Sequence, residues 1–296
     1  MDIHSDLIPK ENKRMQTVKL IECPRDAMQG WKTFIPTETK IEYINKLLEV
    51  GFDTLDFGSF VSPKAIPQLA DTKEVLKHIK MTSTKLLAII ANGRGAEEAV
   101  QYDEISYLGF PFSISETFQK LNTNSSIEES LLRVAEIQKL CIAHKKELVI
   151  YISMGFGNPY GEEYSAEVAF KWVRALEKMG VFIFAMSDTV GVSNPENIKY
   201  IYTNLINEFP SLEFGAHFHS TKETAPEKIK AAHQSNCFRF DSALGGIGGC
   251  PMAQNDLVGN LATEEVISYF EKNNIDLKLN KEALLDASMM VNKIFI

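Results

Sequence analysis

The sequence predicts an α/β fold, namely a single (β/α)8 TIM barrel with an extra C-terminal helix. Short β-rich runs alternate with longer amphipathic stretches along the whole chain, and eight such strands can be counted. No Pro- or Ser-rich linker and no shift in composition divides the 296 residues, so we expect one domain over residues 1–296, with 1–16 as a loosely ordered tail. The predicted strands are VKLIEC (18–23), TLDFG (54–58), KLLAII (85–90), EISYLG (104–109), ELVIYIS (147–153), FIFAMSD (182–188), EFGAHFH (213–219) and CFRFDSAL (237–244).

Helical patterns fill the gaps between these strands. Thr37 is the expected N-cap of the first pattern, and Ser125 is expected to cap the second with Glu128 three residues on. Gly51 and Gly180 follow helix ends, where a left-handed residue is common. The segments with apolar residues at three- and four-residue spacing are Thr37–Val50, Ser125–His144 and Ser165–Met179, and Lys281–Ile296 should pack as the extra helix.

A doubly wound open sheet is the alternative fold that the alternation leaves open. That fold commonly carries a GxGxxG turn after its first strand when it binds dinucleotides. No such motif follows the first predicted strand of this chain, so we favour the barrel.

Composition and charge exclude several classes of function. The net charge is −8 and no dense Lys/Arg block occurs, so we expect no nucleic-acid partner, although a pocket can still attract a small anionic ligand. No apolar run approaches the length of a membrane span, and the N-terminus resembles neither a secretory signal nor a good transit peptide. Together with four cysteines that form no CxxC framework, this predicts a cytoplasmic protein with free thiols (Cys23, Cys141, Cys237 and Cys250).

The stretch GAHFHS (215–220) places two histidines two positions apart in a strand. Side chains alternate faces along a strand, so His217 and His219 point the same way and Phe218 points opposite. Two parallel imidazoles make half of a metal site. Taken alone, the pair is more simply interpreted as histidines bonded to backbone carbonyls.

The positions of other polar residues favour the metal-site interpretation of the two histidines. In a (β/α)8 barrel, functional side chains gather where the strands end and the following loops begin. The polar residues at these places are Arg25 and Asp26 after strand one, Asp56 and Ser59 at strand two, Asp188 at strand six, the histidines at strand seven, and GGIGGCPM with Cys250, then Gly259 and Asn260, after strand eight.

Two imidazoles, a carboxylate and an amide carbonyl would suit Mg²⁺, Mn²⁺ or a similar divalent ion better than a closed structural zinc site. Asp26 is the natural carboxylate because it lies just past strand one, and Asn260 could supply the carbonyl. No organic cofactor is expected.

The neighbouring residues each have two interpretations. Arg25 could stabilise an oxyanion beside the metal or form an ion pair with an acid such as Glu22. Cys250 could be an acid or base on a glycine-rich loop, or an incidental thiol in a chain reversal. Asp188 could orient a ligand or cap the next helix, which is the commoner task of Asp after a strand.

The motifs together resemble the 3-hydroxy-3-methylglutaryl-CoA lyase family, a branch of the metal-dependent barrel lyases related to isopropylmalate and homocitrate synthases. The resemblance spans nearly the whole chain in the order of the family. Its segments are ECPRDAMQG (22–30), SFVSPKAIPQLADTKEVL (59–76), SIEESLLR (126–133), SDTVGV (187–192), HFH (217–219), GGIGGCP (245–251) and GNLATEE (259–265).

The resemblance implies a retro-Claisen cleavage of 3-hydroxy-3-methylglutaryl-CoA to acetyl-CoA and acetoacetate, the chemistry of leucine degradation and ketone body formation. It also implies an acyl-CoA substrate and a homodimer. The implied roles are metal ligands at Asp26, His217, His219 and Asn260, catalysis by Arg25, Cys250, Asp56 and Asp188, and substrate binding by Gln29 and Ser59.

Several positions depart from the family pattern. Asp56 stands where the family has Glu, Ser220 where it has Asp, and Glu22 lies one place off register. NPYG (158–161) replaces a CPY, and CPMAQNDLVGN (250–260) is one residue longer than its counterpart. The alternatives are therefore a longer 3-hydroxy-3-alkylglutaryl-CoA, a related Claisen-type synthase, or an inactive barrel that binds a metal or an acyl-CoA.

Overall fold

The structure, a computed structural model, describes residues 17–249 and 258–295. The tail predicted over residues 1–16 therefore lies outside the described residues. The strands are β1 (Lys19–Glu22), β2 (Thr54–Ser59), β3 (Lys85–Ile89), β4 (Ile105–Ser113), β5 (Glu147–Ser153), β6 (Ile183–Asp188), β7 (Glu213–Ser220), β8 (Arg239–Ser242) and β9 (Gly259–Asn260).

Strands β1 to β8 form a closed parallel barrel. Each strand pairs with its neighbours in the chain, β8 pairs with β1, and β6 pairs with β7, which completes the ring. The predicted (β/α)8 barrel is confirmed, and the open-sheet alternative is wrong. The ninth strand, β9, adds antiparallel to the end of β7.

The helices surround this barrel, and the extra C-terminal helix is confirmed. Its N-cap residue Asn280 donates its backbone N–H to Val50 O at 2.9 Å, which ties α11 to the end of α2. The helices are α1 (Pro24–Gln29), α2 (Thr37–Val50), α3 (Thr72–Lys77), α4 (Gly93–Ala99), α5 (Glu116–Thr123), α6 (Ile127–Ala143), α7 (Ala166–Glu177), α8 (Pro195–Glu208), α9 (Ala225–Gln234), α10 (Thr263–Lys272) and α11 (Lys281–Ile294). None of them is long and apolar enough to cross a membrane.

Two predicted helix caps are wrong by one residue. Thr37 is already helical, with Pro36 at the N-cap, and its hydroxyl donates to Asp71 Oδ2 instead. Ser126, not Ser125, caps α6, because the Ser125 hydroxyl is buried and hydrogen-bonded to neighbouring hydroxyls. The expected helix ends at Gly51 and Gly180 are confirmed, with φ of 86° and 87°.

Strand β4 runs further than predicted, to Ser113 rather than 109. Beyond Gly109 it pairs with β5 alone, since β3 ends at Ile89. Pro111, which cannot donate a hydrogen bond, lies in this one-sided part of the strand, where a missing donor is tolerated.

Buried apolar side chains lie mainly in two regions, and Met28, Ile35 and Leu69 form a small third cluster. The larger packs the helices onto the outside of the barrel. The smaller lies inside the barrel on β3 to β6 and consists of Leu87, Ile89, Tyr107, Val149, Tyr151, Ile183 and Ala185. Inward positions of β2, β7 and β8 carry polar groups instead, among them Asp56, His217 and Asp241, so the interior is divided into an apolar half and a polar half.

We predict that Ser126→Ala lowers the free energy of unfolding by about 1 kcal/mol, because it removes the side-chain oxygen that accepts from Glu129 N at the start of α6. Urea unfolding followed by circular dichroism measures this change. Ser126→Asp keeps an acceptor and should remain near the wild type, so an equal loss in both variants would contradict the cap.

Candidate metal centre and active site

Helix α1 presents Arg25, Asp26 and Gln29 at the barrel mouth. Pro24 at its first position suits a helix start, since its missing N–H would have no partner there. Residues three and four apart lie on one helix face, so Gln29 Nε2 donates to Asp26 Oδ1 at 2.7 Å and Arg25 Nη1 donates to Gln29 Oε1 at 2.9 Å.

Asp56 and Asp26 hold the buried Arg25 guanidinium from two sides. Arg25 Nε donates to both Asp56 oxygens at 3.2 and 3.0 Å, Nη2 donates to Asp56 Oδ2, and Nη1 donates to Asp26 Oδ1 at 2.7 Å. Burial opposes the charged form, but these two carboxylates together raise the pKa of Arg25. Arg25 therefore does form ion pairs with neighbouring acids, as the alternative interpretation expected, but with Asp56 and Asp26 rather than with Glu22.

The strand register brings the two histidines to the same site. His217 Nδ1 lies 3.2 Å from Asp241 Oδ2, and His219 Nδ1 lies 3.0 Å from the carbonyl oxygen of Thr189. The ligand atoms of His217, His219 and Asp26 lie within 4.8 Å of one another. The backbone-carbonyl interpretation is therefore confirmed for His219, and the same cluster is a group that could hold a metal ion.

Asn260 joins this cluster through β9. The antiparallel register places it opposite His219, and its Nδ2 donates to Asp26 Oδ2 at 2.7 Å and to Ile247 O at 2.9 Å. Its Oδ1 takes part in no hydrogen bond within the described part of the chain. Gly248, at φ of 99°, makes this approach possible, since a Cβ there would lie 2.6 Å from Asn260 Nδ2.

Charges in the cluster favour an ionised carboxylate. Burial alone would raise the pKa of Asp26, but Arg25, the two imidazoles and the Asn260 amide outweigh it and lower that pKa to about 2. Burial and the neighbouring imidazole lower the pKa of His219. Burial also opposes a second proton on His217, but Asp241 raises that pKa overall, so a metal ion and a proton would compete for Nε2.

These residues fit a divalent metal ion. His219 Nε2 is buried and has no hydrogen-bond partner in residues 17–249 and 258–295. A buried ring nitrogen without a partner costs free energy, and coordination would remove that cost. Two imidazole nitrogens, a carboxylate and an amide oxygen give a mixed N₂O₂ donor set of the kind that leaves positions for substrate oxygens or water.

Asp56 lies beside this centre rather than in it. It is fully buried on β2 and its partner is Arg25. Burial raises the pKa of Asp56 to about 6, although Arg25 partly offsets the effect.

Asp188 is occupied by neighbours. Its oxygens accept from the backbone and hydroxyl of Ser193, and from Lys228 Nζ at 2.8 Å. The buried Lys228 also donates to the carbonyl of His219. The capping interpretation is wrong, since Asn194 caps α8. Asp188 at the end of β6 instead accepts from Lys228 on α9, which also donates to β7. This link lies next to the Thr189 carbonyl that bonds His219.

The remaining predicted site residues are less informative. The Ser59 hydroxyl shapes the turn after β2 by accepting from Val61 N and lies 3.4 Å from Ile89 O. Cys250 lies outside the described residues. The three described cysteines, Cys23, Cys141 and Cys237, are free, as predicted, and the structure shows that they are buried.

Sequence reasoning missed Asp241, Lys228 and the task of Glu22. Asp241 could have been found from FRFD in strand eight, where alternation puts Arg239 and Asp241 on one face. Lys228 has no such signal. Glu22 is fully buried and accepts from Leu244 N at 2.8 Å and from the Thr263 hydroxyl, and burial raises its pKa to about 8.

The chain is similar to known proteins over most of its length. A family model described as HMGL-like matches residues 18–291. The mitochondrial hydroxymethylglutaryl-CoA lyase of Mus musculus is 35% identical over 274 residues, which cover 91% of this chain and 83% of the relative. The Bacillus subtilis hydroxymethylglutaryl-CoA lyase is 33% identical over 273 residues, covering 91% and 90%.

A solved structure is similar over the same extent. An HMG-CoA lyase from Acinetobacter baumannii, in complex with coenzyme A and 3-methylmalate, superposes with a TM-score of 0.87 at 31% identity. The match covers 94% of this chain and 91% of that chain.

We predict that Gly248→Ala weakens Mn²⁺ binding and lowers the free energy of unfolding by at least about 1 kcal/mol, because an alanine Cβ clashes with Asn260 and φ is positive. Titration calorimetry and urea unfolding measure the two effects. Gly30→Ala is the matched control, since φ there is −93° and nothing lies within 4 Å. Unchanged Mn²⁺ affinity in Gly248→Ala would rule out the inferred place of Asn260.

We predict that Glu22 makes the protein less stable as pH rises from about 4.5 towards 8. Burial raises the pKa of Glu22 from the ordinary 4.5 to about 8 in the fold, so the unfolded chain binds fewer protons in that window and the free energy of unfolding falls with pH. Glu22→Gln mimics the protonated form and should flatten this slope in thermal unfolding midpoints. The exposed Glu128→Gln should keep the wild-type slope, and parallel profiles for Glu22→Gln and the wild type would contradict the prediction.

Proposed function

This chain belongs to the HMGL-like family, and on that premise we propose that it is a divalent-metal-dependent carbon–carbon lyase. Its proposed reaction cleaves 3-hydroxy-3-methylglutaryl-CoA to acetyl-CoA and acetoacetate. The observation that carries the proposal is the grouping of Asp26, His217 and His219 within 4.8 Å, with the Arg25 guanidinium bonded to the same carboxylate.

The proposed metal ligands are Asp26, His217, His219 and Asn260, and the proposed ion is Mg²⁺ or Mn²⁺. When bound there, the ion would supply Lewis-acid polarisation of the substrate's tertiary hydroxyl and carboxylate oxygens. No organic cofactor is needed, because the electron pair released in the cleavage can be held on the thioester carbonyl oxygen.

Arg25 is the proposed stabiliser of that developing oxyanion. A guanidinium has five N–H groups. The single N–H of Nε donates to Asp56, and the two N–H groups of Nη1 donate to Asp26 and Gln29. One of the two N–H groups of Nη2 also donates to Asp56. One N–H of Nη2 is left for a substrate oxygen, and the fixed guanidinium needs no reorganisation when charge develops there.

The chemical steps follow from the bonds that change. A base takes the proton of the tertiary hydroxyl, the bond between C2 and C3 breaks, C3 becomes the ketone of acetoacetate, and the enolate of acetyl-CoA accepts a proton at C2. We propose Cys250 as the acid or base for these transfers. Asp56 and Asp188 would act by orienting Arg25 and the His219 strand, and Gln29 and Ser59 would line the substrate site.

Further features of the proposal concern partners and place. The Acinetobacter lyase complex with coenzyme A and 3-methylmalate supports an acyl-CoA substrate. We also propose a homodimer, which is supported by the apolar residues Leu132, Ile142 and Leu285 that are more than half exposed on outer helices.

The free thiols support a reducing compartment, for which we propose the cytoplasm. The products of the proposed reaction fit leucine degradation and ketone body formation.

We predict that the purified protein releases acetyl-CoA from 3-hydroxy-3-methylglutaryl-CoA with Mg²⁺ or Mn²⁺ and loses this activity after chelation. Arg25→Lys should lower kcat by roughly 10²–10³, because an ammonium cannot keep Asp56 and Asp26 bound while also meeting the oxyanion. A coupled assay for acetyl-CoA measures both effects.

The matched control is Arg174→Lys, at an exposed ion pair on α7, which should leave kcat unchanged. Absence of release while Mn²⁺ is bound would contradict the proposed substrate. Longer 3-hydroxy-3-alkylglutaryl-CoA esters are then the next assay, and failure with all of them would contradict the lyase.

A further inference from the structure

We infer that Asp241 is a positioning residue that holds the His217 ring in its Nδ1–H tautomer and aims Nε2 at Asp26 and His219. The role of His217 as a metal ligand rests on the proposed function, whereas the orientation of its ring does not. Within residues 17–249 and 258–295, the hydrogen bond of Asp241 is to His217 and its other charged partner is Arg239.

The register between two barrel strands creates this contact. His217 on β7 is the direct partner of Asp241 on β8, and both side chains point into the barrel. His217 Nδ1 lies 3.2 Å from Asp241 Oδ2. An ionised carboxylate can only accept, so the ring must carry its proton on Nδ1, and the lone pair of a neutral ring is then on Nε2.

The buried cation of Arg239 lies close to Asp241 but does not hydrogen-bond to it. Arg239, two residues earlier on the same strand face, places Nε 4.0 Å from Asp241 Oδ1, and its Nη1 donates to Glu213 Oε1 at 3.3 Å. Both Arg239 and Asp241 are buried, so their charges are compensated inside the barrel rather than by solvent. Gly215 leaves the room that the arginine needs, since a Cβ there would lie 2.8 Å from Arg239 Cδ.

The two histidines are thus fixed in different ways. The His219 ring is anchored by the backbone carbonyl of Thr189, which no side-chain substitution removes. The His217 ring is anchored by the Asp241 carboxylate and packs edge-to-face against Tyr151, with ring centroids 5.3 Å apart. Because ring orientation decides whether Nε2 meets the other ligands, losing Asp241 should affect a bound ion without removing any ligand.

Nitrogen-15 NMR of the metal-free protein labelled in its histidines tests the orientation directly. At mildly alkaline pH we expect the wild-type His217 resonance, assigned by its loss in His217→Gln, to show the Nδ1–H tautomer. Asp241→Ala should shift it towards the Nε2–H form that predominates in free imidazole side chains. An Nε2–H tautomer in the wild type, or an unchanged tautomer in Asp241→Ala, would overturn the inference.

Mn²⁺ titration calorimetry then tests the consequence. Asp241→Ala should raise the Kd for Mn²⁺ by roughly 10–100-fold, whereas Asp241→Asn, which keeps an accepting oxygen, should raise it less. Tyr151→Phe keeps the ring contact and is the matched control, with no change expected. Unchanged affinity in a folded Asp241→Ala, or equal weakening in the Ala and Asn variants, would overturn the hydrogen-bonded positioning.

These two measurements separate this inference from the proposed function. If the wild-type protein binds no Mn²⁺, the proposed metal centre fails, while the NMR tautomer still decides the role of Asp241. If the wild type binds Mn²⁺ and the tautomer does not depend on Asp241, the inference fails and the proposed function stands.

Discussion

The buried guanidinium of Arg25 is the constraint on which the rest of the site depends. Removing a cation from water costs free energy unless carboxylates compensate it at close range. Asp56 does so from β2, and Asp26 does so from the same helix as Arg25. Because Asp26 also accepts from Gln29 and Asn260, one carboxylate links α1 to β9 and stays ionised in a buried position. The charges of Arg25, Asp26 and Asp56 therefore compensate one another before any metal ion binds to Asp26.

Strand register is the second determinant of the site. Strand β7 pairs with β6 and β8 in the ring and with β9 at its end, so His217 lies opposite Asp241 and His219 lies opposite Asn260. A slip of one residue would turn both imidazoles to the outside of the barrel. The pairing of β6 with β7 closes the ring, and it also fixes which side chains can reach the two histidines.

The division of the barrel interior explains why the charges gather on one side. Strands β3 to β6 fill their half with buried aliphatic and aromatic side chains. Such a wall lowers the local dielectric constant and strengthens every interaction among the charged groups opposite it. Burial raises the pKa of Asp56 in this polar half, and the hydrogen bonds from Arg25 partly offset that rise.

The sequence by itself determined the eight strands, the bounds of the helix over Thr37–Val50, and the shared direction of His217 and His219, because each depends on periodicity within a few residues. It also indicated Asp26 and Asn260 as neighbours of the histidines, since barrel strands end at one rim. Only the tertiary structure decided the partners: Asp56 rather than Glu22 for Arg25, Lys228 for Asp188, and Asp241 for His217. These choices depend on register and packing between distant segments. Asp26 and Asn260, for example, differ by 234 in residue number, and no local pattern encodes a contact at such a separation.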